Sequence, residues 1–303
     1  MFFGVDTSNY TTSVATYKNG EVTQQKKMLS VREGERGLRQ SDAVFQHTVN
    51  MPHLLDSLDL DGLRAVGVSD RPRNVEGSYM PCFTVGVNTA IAVAKGAGIP
   101  LYKTSHQVGH ILAALYSADK LDLIHDRFIA FHLSGGTTEA LLVRPHADEI
   151  IRAEIIAESL DLKAGQAIDR AGVMMGLHFP CGKELDSLSQ HSATEIKYQP
   201  SMKGVNCSLS GVENKTKALL DKGTPNEDIA RFVLTAVVRT VDAMLAGILK
   251  EYGDLPVIFS GGVSSNSMLN KVMTEKYGAH FAAPAFSLDN AAGTAIFALL
   301  KTE

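Results

Sequence analysis

Short apolar runs, each broken by a cluster of small polar residues, recur in the same order at two places in the chain. Residues 2–5 form an apolar strand that ends in Asp6-Thr7-Ser8-Asn9-Tyr10-Thr11-Thr12. Residues 13–17 alternate as a second strand, Asn19-Gly20 predicts a tight hairpin turn, and 21–29 read as the returning strand. Further on, residues 127–133 form an apolar strand that ends in Ser134-Gly135-Gly136-Thr137-Thr138-Glu139. Strand 140–143, a turn at 145–148 and a strand over 149–154 complete the second copy. The copies lie about 125 residues apart, and a repeated supersecondary unit predicts two similar lobes. Each polar turn offers N–H groups and hydroxyls at a strand end, which suits phosphate oxygens. Taken singly, each copy also reads as an ordinary Gly/Ser hairpin.

The segments around these copies alternate between helix and strand. Residues 37–57 read as a helix, 63–68 as a strand, 69–81 as a polar loop, 84–95 as a helix and 99–103 as a short strand. After the second copy come helical runs over 164–175 and around Asp186, a strand-like stretch over 205–210, and a long apolar helix over 226–252. A core strand over 256–259 ends in Ser260-Gly261-Gly262-Val263-Ser264-Ser265-Asn266, where glycines let backbone and ligand approach closely. A small-residue helix over 291–300 closes the chain.

At 303 residues and 45% hydrophobic, the chain has ample material for two lobes. A net charge of −4 supplies no bulk field for nucleic acid, so any RNA contact needs a local patch or a partner. Cys82, Cys181 and Cys207 are odd in number and far apart, as expected of a reduced cytoplasmic protein. The first residues lack the basic start of a signal peptide, and no apolar run is read as reaching the roughly 18 residues that cross a bilayer, so no membrane partner is expected.

Candidate chemistry centres on Thr104-Ser105-His106-Gln107-Val108-Gly109-His110, with Ser105 as a plausible helix cap. On a helix, His106 and His110 share one face one turn apart, so both imidazoles can reach one metal ion. Two neutral ligands do not complete a site. A zincin peptidase needs a general-base glutamate directly after the first histidine, and Gln107 cannot take a proton there.

Further motifs follow in order: Ser134-Gly-Gly-x-Thr138, Ala164-Gly165-x-Ala167-x-Asp169, Gly176-Leu177-x-Phe179-Pro180-x-Gly182, Ser208-x-Ser210-Gly211, Gly261-Gly262-Val263-x-x-Asn266 and Asp289-Asn290-Ala291. With the histidine pair, their order and spacing resemble the TsaD (Gcp/YgjD) family across nearly the whole chain. The resemblance implies an α/β actin-like ATPase, sugar kinase and Hsp70 fold with ribonuclease-H-like lobes and a nucleotide and metal cleft between them. The expected lobes are 1–103 with 288–303, and 104–287. The family transfers a threonylcarbamoyl group from an acyl-adenylate to the exocyclic amine of a tRNA adenosine beside the anticodon. By resemblance, His106, His110 and Asp289 hold one divalent ion, iron or zinc. Ser134, Gly135, Gly136, Thr137 and Thr138 hold the acyl-adenylate, or ATP or AMP. Asp169 and Asp186 hold ribose hydroxyls, and Gly182 and Asn266 border the adenosine. The implied partners are tRNA, accessory TsaB- or TsaE-like proteins, and a homo- or heterodimer.

The chain also departs from the family pattern. Gln107-Val108 replaces an acid-containing step of the histidine motif, and Thr137 replaces a histidine. Asp70-Arg71-Pro72-Arg73-Asn74-Val75-Glu76-Gly77 replaces a glycine-rich apolar loop, and Cys181 stands where glycine is usual. Arg71 and Arg73 read as a solvated loop or as contacts to a phosphate or carboxylate of the substrates. These departures keep two alternatives open: a paralogous carbamoyltransferase with another acceptor, and a non-catalytic nucleotide-binding partner subunit.

Overall fold

The computed structural model describes residues 1–8, 10–31 and 38–303. Asn9 of the first polar cluster, and the expected start of the first helix at Gly37, lie outside the described residues. The chain divides into two compact units. The first comprises Met1–Asp126, Arg144–Ala153 and Ala285–Glu303; the second comprises Arg127–Val143 and Glu154–Pro284.

The first unit begins with β1 (Phe2–Asp6), β2 (Thr11–Lys18), β3 (Glu21–Met28), α1 (Gln40–Leu55), β4 (Ala65–Arg71), α2 (Phe83–Ala97), β5 (Leu101–Ser105) and α3 (His106–Ser117). Its sheet runs β3-β2-β1-β4-β5. β1 is buried along its whole length, because it lies between β2 and β4. β3 is an edge strand; its residues are all exposed or half-buried, and it carries Lys26 and Lys27, as solvated edges do.

The second copy begins with β6 (Phe128–Leu133), β7 (Thr138–His146) and β8 (Ile150–Glu158). Then follow α4 (Ala164–Met174), α5 (Gly182–Ser189), the small hairpin β9 (Ser201–Lys203) and β10 (Asn206–Ser208), α6 (Ser210–Asp221), α7 (Asn226–Tyr252), β11 (Val257–Ser260), α8 (Ser267–Tyr277) and β12 (His280–Phe281). α9 (Pro284–Ser287) and α10 (Ala292–Leu300) end the chain. The second sheet runs β12-β11-β6-β7-β8. Replacing β1–β5 of the first sheet by β6, β7, β8, β11 and β12 reproduces its order, so the repeat seen in the two polar turns extends to the topology. In both copies the hairpin is antiparallel and the two later strands add in parallel. Phe131, Phe259 and Phe281 stack across the parallel strands with ring centroids 4.8 and 4.9 Å apart.

Residues 104–126, expected in the second lobe, pack in the first unit. The cause is α10, a helix of small residues. A Cβ on Gly293 would lie 1.8 Å from the Gly109 carbonyl oxygen, so α10 and α3 meet backbone to backbone. On its other side, a Cβ on Gly67 would lie 1.9 Å from Thr294 O, and one on Gly4 would lie 2.4 Å from Ala291 O. Glycine at 293, 67 and 4 lets α10 lie directly against α3, β4 and β1.

The expectation that no apolar run reaches bilayer length needs correction. α7 is 27 residues long and, by length and composition alone, apolar enough to cross a membrane. Its apolar residues, Phe232, Val233, Val237, Val241, Met244 and Leu245 among them, are instead buried in the core of the second unit.

Candidate functional site

Asp6, at the end of β1, is the most deeply buried acid of the first unit's site, with 1% of its surface exposed. Its Oδ1 accepts the Ser8 N–H at 2.9 Å, and its Oδ2 accepts the Ser69 hydroxyl at 2.6 Å. The same Oδ2 lies 2.9 Å from His106 Nδ1. Burial pushes the Asp6 carboxyl up. The His106 charge and the hydrogen bonds from His106, Ser69 and Ser8 outweigh that and hold it below its ordinary value.

His106 opens α3, and the expected cap is present: Ser105 Oγ accepts the Val108 N–H at 3.2 Å. The Gln107 N–H donates to Pro72 O at 3.0 Å, which ties the Asp70–Gly77 stretch to the start of the histidine helix. The helix places the His106 and His110 rings one turn apart, with centroids 4.3 Å apart. Asp289, just before α10, reaches both: its Oδ1 lies 3.2 Å from His110 Nε2 and 3.6 Å from His106 Nε2. Burial pulls the His106 imidazole down, but Asp6 and Asp289 push it up to about 10. Asp289, which burial would raise, is held well below the ordinary carboxylate range by hydrogen bonds from His106 and His110.

His106, His110 and Asp289 each offer one ligand atom, and these atoms lie within 4.8 Å of one another. Ligands about 2.1 Å from a tetrahedral ion sit about 3.4 Å apart, between the two measured separations from Asp289. Two imidazoles and one carboxylate suit iron or zinc, with coordination positions left open for a substrate oxygen. The donor set therefore fits a divalent ion.

Sequence reasoning missed Asp6 and Ser69 as parts of this cluster. The available signal was an acid ending a wholly apolar strand, where an unpaired carboxylate is costly. His47, for which the sequence offered no role, is fully buried on α1. Its Nδ1 lies 2.8 Å from Thr12 Oγ1, which accepts from Asn50 Nδ2 at 3.2 Å. Burial outweighs the pull of Asp6 and lowers the His47 pKa to about 4, so the ring is neutral.

A second cluster lies in the second unit. Between β6 and β7, the Ser134 hydroxyl accepts the N–H groups of Gly136 at 3.3 Å and Thr137 at 3.1 Å, folding residues 134–138 into a compact turn. Thr138 Oγ1 accepts the Ala164 N–H at 2.7 Å and the Gly165 N–H donates to Ser134 O, so α4 starts at this turn. Gly165 is needed there: a Cβ would lie 2.7 Å from Gly135 N. Asp169, on the same helix, accepts the Cys181 N–H at 2.8 Å, and Gly182 opens the next helix. Cys181 is buried against Gly172, with no room there for another side chain. Asp186 and Asn266 form a pair at 2.9 Å, and Ser267 adds two hydrogen bonds to the Asp186 carboxylate. Asn266 also caps α8. Gly261, at φ +93, passes so close to Leu133 that a Cβ would lie 2.3 Å from its carbonyl oxygen. The expected residues thus form a metal-type cluster in one unit and, in the other, a glycine turn and an Asp186–Asn266 pair.

Solved structures with low sequence identity share this fold. Component A of (R)-2-hydroxyglutaryl-CoA dehydratase from Acidaminococcus fermentans aligns over 99% of this chain and 98% of its own, with a TM-score of 0.58 at 15% identity. Full-length HypF in its phosphate- and nucleotide-bound form aligns over 98% of this chain and 54% of its own, with a TM-score of 0.59 at 14% identity. A ROK family glucokinase from Streptomyces griseus gives 0.53 at 14%. These likenesses establish the actin-like ATPase, sugar kinase and Hsp70 fold. Among curated sequences, the tRNA N6-adenosine threonylcarbamoyltransferase of Thermosipho africanus is 28% identical over 314 residues, covering 96% of this chain and 91% of the relative. That of a Sulfurihydrogenibium species is 29% identical over 283 residues, covering 89% and 81%. The profile of the TsaD family, tRNA N6-adenosine threonylcarbamoyltransferase, matches residues 43–296, and the chain belongs to that family.

Proposed function

We propose that this chain transfers a threonylcarbamoyl group from threonylcarbamoyl-adenylate to the exocyclic amine of a tRNA adenosine beside the anticodon, in a metal-dependent reaction. The observation that carries this reading is the convergence of His106, His110 and Asp289 within 4.8 Å in a member of this family. The amine nitrogen forms a bond to the carbamoyl carbon. The bond from that carbon to the phosphate oxygen breaks, AMP leaves with the electron pair, and the amine loses one proton. A divalent ion held by His106, His110 and Asp289 supplies stabilisation of the negative charge that develops on oxygen.

The chain's own residues orient the adenylate. The 134–138 turn stands at the start of α4, where the helix dipole favours a phosphate, and the Gly136 and Thr137 N–H groups that donate to Ser134 Oγ would turn to the phosphate when it binds. Asp186 already accepts three hydrogen bonds, from Asn266 and Ser267, and a carboxylate has about four acceptor positions, which leaves one for a ribose hydroxyl. Asp169 is the second ribose candidate, and Gly182, which has no close neighbour on its Cβ side, is the adenosine border. Positioning and preset charge are the main sources of rate here, with no protein nucleophile. The same reading carries a cytoplasmic location, accessory TsaB- or TsaE-like proteins and a homo- or heterodimer.

A second reading keeps the carbamoyl chemistry and changes the acceptor. The observation in its favour is the polar Asp70–Gly77 stretch. Arg71 bonds Asp70 at 2.6 Å and Glu149 at 3.0 Å beside a cleft of about 470 Å³ lined by Asn74, Ser78, His146 and Arg152. A nucleoside assay separates the two readings. Incubated with threonylcarbamoyl-adenylate, accessory proteins and unmodified tRNA, the chain is expected to yield N6-threonylcarbamoyladenosine by mass spectrometry. No product, in an assay where a family enzyme gives product, contradicts tRNA as the acceptor.

A further inference from the structure

We propose that Asp6 is a positioning residue for His106, and that Ser69 in turn fixes Asp6. The inference rests on reading His106, His110 and Asp289 as a metal site, and extends that site beyond its three ligands.

The sheet itself builds this chain of contacts. β1, β4 and β5 are successive neighbours in the first sheet, and all three run parallel. Val5 pairs with Val68, so the next residues, Asp6 and Ser69, stand side by side, where β1 ends and two residues before β4 does. β5 ends at Ser105, and His106 follows it directly. Asp6, Ser69 and His106 therefore gather toward the C-terminal side of three adjacent parallel strands, the edge of such a sheet where ligands bind.

The His106 ring has its Nδ1 toward Asp6 and its Nε2 toward Asp289. A neutral imidazole carries one N–H, and a carboxylate only accepts. With a divalent ion bound, the ring would keep its one proton on Nδ1, facing Asp6, and leave its Nε2 lone pair for the ion. The partner of the ring's distal nitrogen thus selects the ligating tautomer. Asp6 cannot turn away: it is 1% exposed, the Ser8 N–H holds one oxygen and the Ser69 hydroxyl holds the other.

Asparagine cannot replace it. With its amide nitrogen toward His106, the tautomer reverses and Nε2 carries the proton. With its oxygen toward His106, the amide nitrogen faces the Ser8 N–H, donor against donor. Both orientations weaken the site, while the volume is unchanged.

The test strips wild type, Asp6→Asn and Ser69→Ala with a chelator, then titrates Zn²⁺ against a chromophoric competitor and records the visible spectrum with Co²⁺. Circular dichroism of each metal-free protein checks folding. Asp6→Asn is expected to bind Zn²⁺ about 10–100-fold more weakly, with an altered Co²⁺ spectrum, and Ser69→Ala about threefold more weakly. Affinity of Asp6→Asn within about twofold of wild type, with an unchanged Co²⁺ spectrum, overturns the proposal. If Asp6→Asn does not fold, unchanged affinity and spectrum in Ser69→Ala overturn it. Wild type that binds no metal overturns the metal reading and this inference together, a result distinct from wild type that binds beside an unaffected Asp6→Asn.

Discussion

His47 shows how a single buried side chain couples this fold to pH. Its pKa is about 4 in the folded chain and about 6.5 when unfolded, so the native state favours the neutral ring. Below pH 6.5 the unfolded chain takes up a proton that the folded chain refuses. Stability therefore falls as pH drops from 6.5 to about 4, by at most about 3 kcal/mol from this residue, and then levels off. His47→Gln is expected to flatten that part of the curve, read by urea unfolding at pH 7 and pH 5. An equal loss in wild type and variant contradicts the assignment. The histidine pair was readable in the sequence because helical spacing alone puts His106 and His110 on one face. Asp289 was reached only through resemblance, since nothing local ties residue 289 to residue 106. Asp6 and Ser69 were not read as part of the site, because strand pairing, which brings them to His106, joins residues far apart in sequence. Asp186 and Asn266 were each placed at the nucleotide by resemblance; their mutual hydrogen bond comes from tertiary structure.

At the scale of elements, small residues decide the geometry. α10 rests on α3 through Gly293 and Gly109, and Asp289 sits just before α10. Gly293→Val places carbon atoms where the Gly109 carbonyl now lies. The helices must part, at a cost of about 3 kcal/mol or more, and Asp289 moves away from the histidines. Thermal unfolding is expected to show a fall in Tm together with weaker Zn²⁺ binding. Gly182→Ala is the contrast: the nearest atom to its Cβ is 3.9 Å away, and stability is expected to stay within about 1 kcal/mol of wild type. Most elements were legible from periodicity. β1, β2, β3, α4 and α7 match the predicted segments to within two residues. The hairpin β9–β10, with three residues in each strand, was legible only as a single strand-like stretch, and α6 was not legible at all. α6 is amphipathic over only 12 residues and begins at Ser210, where the Asp161 carboxylate bonds the Ser210 N–H and hydroxyl. Such capping from 49 residues away has no local sequence signal.

At the scale of the molecule, the duplicated strand order is the main result. Two polar turns at equivalent strand ends predicted two similar lobes, and the sheets β3-β2-β1-β4-β5 and β8-β7-β6-β11-β12 are the same arrangement. The unit boundaries were less legible. The interruption of the second unit by Arg144–Ala153 depends on how the β7–β8 hairpin extends, and the place of α3 depends on its packing against α10. The chain puts one chemistry in each copy: a histidine and carboxylate cluster at the strand ends of the first, and a glycine turn with an acid and amide pair in the second. The central claim is that the first cluster holds an ion on which transfer to tRNA depends. The most direct test is the initial rate of threonylcarbamoyladenosine formation by chelator-stripped protein as Zn²⁺ or Fe²⁺ is added back, with accessory proteins and adenylate fixed. The account predicts no transfer without metal, full rate near one equivalent, and no recovery by Asp289→Asn at that equivalence. Full rate from metal-free wild type, or full recovery by Asp289→Asn, would contradict it.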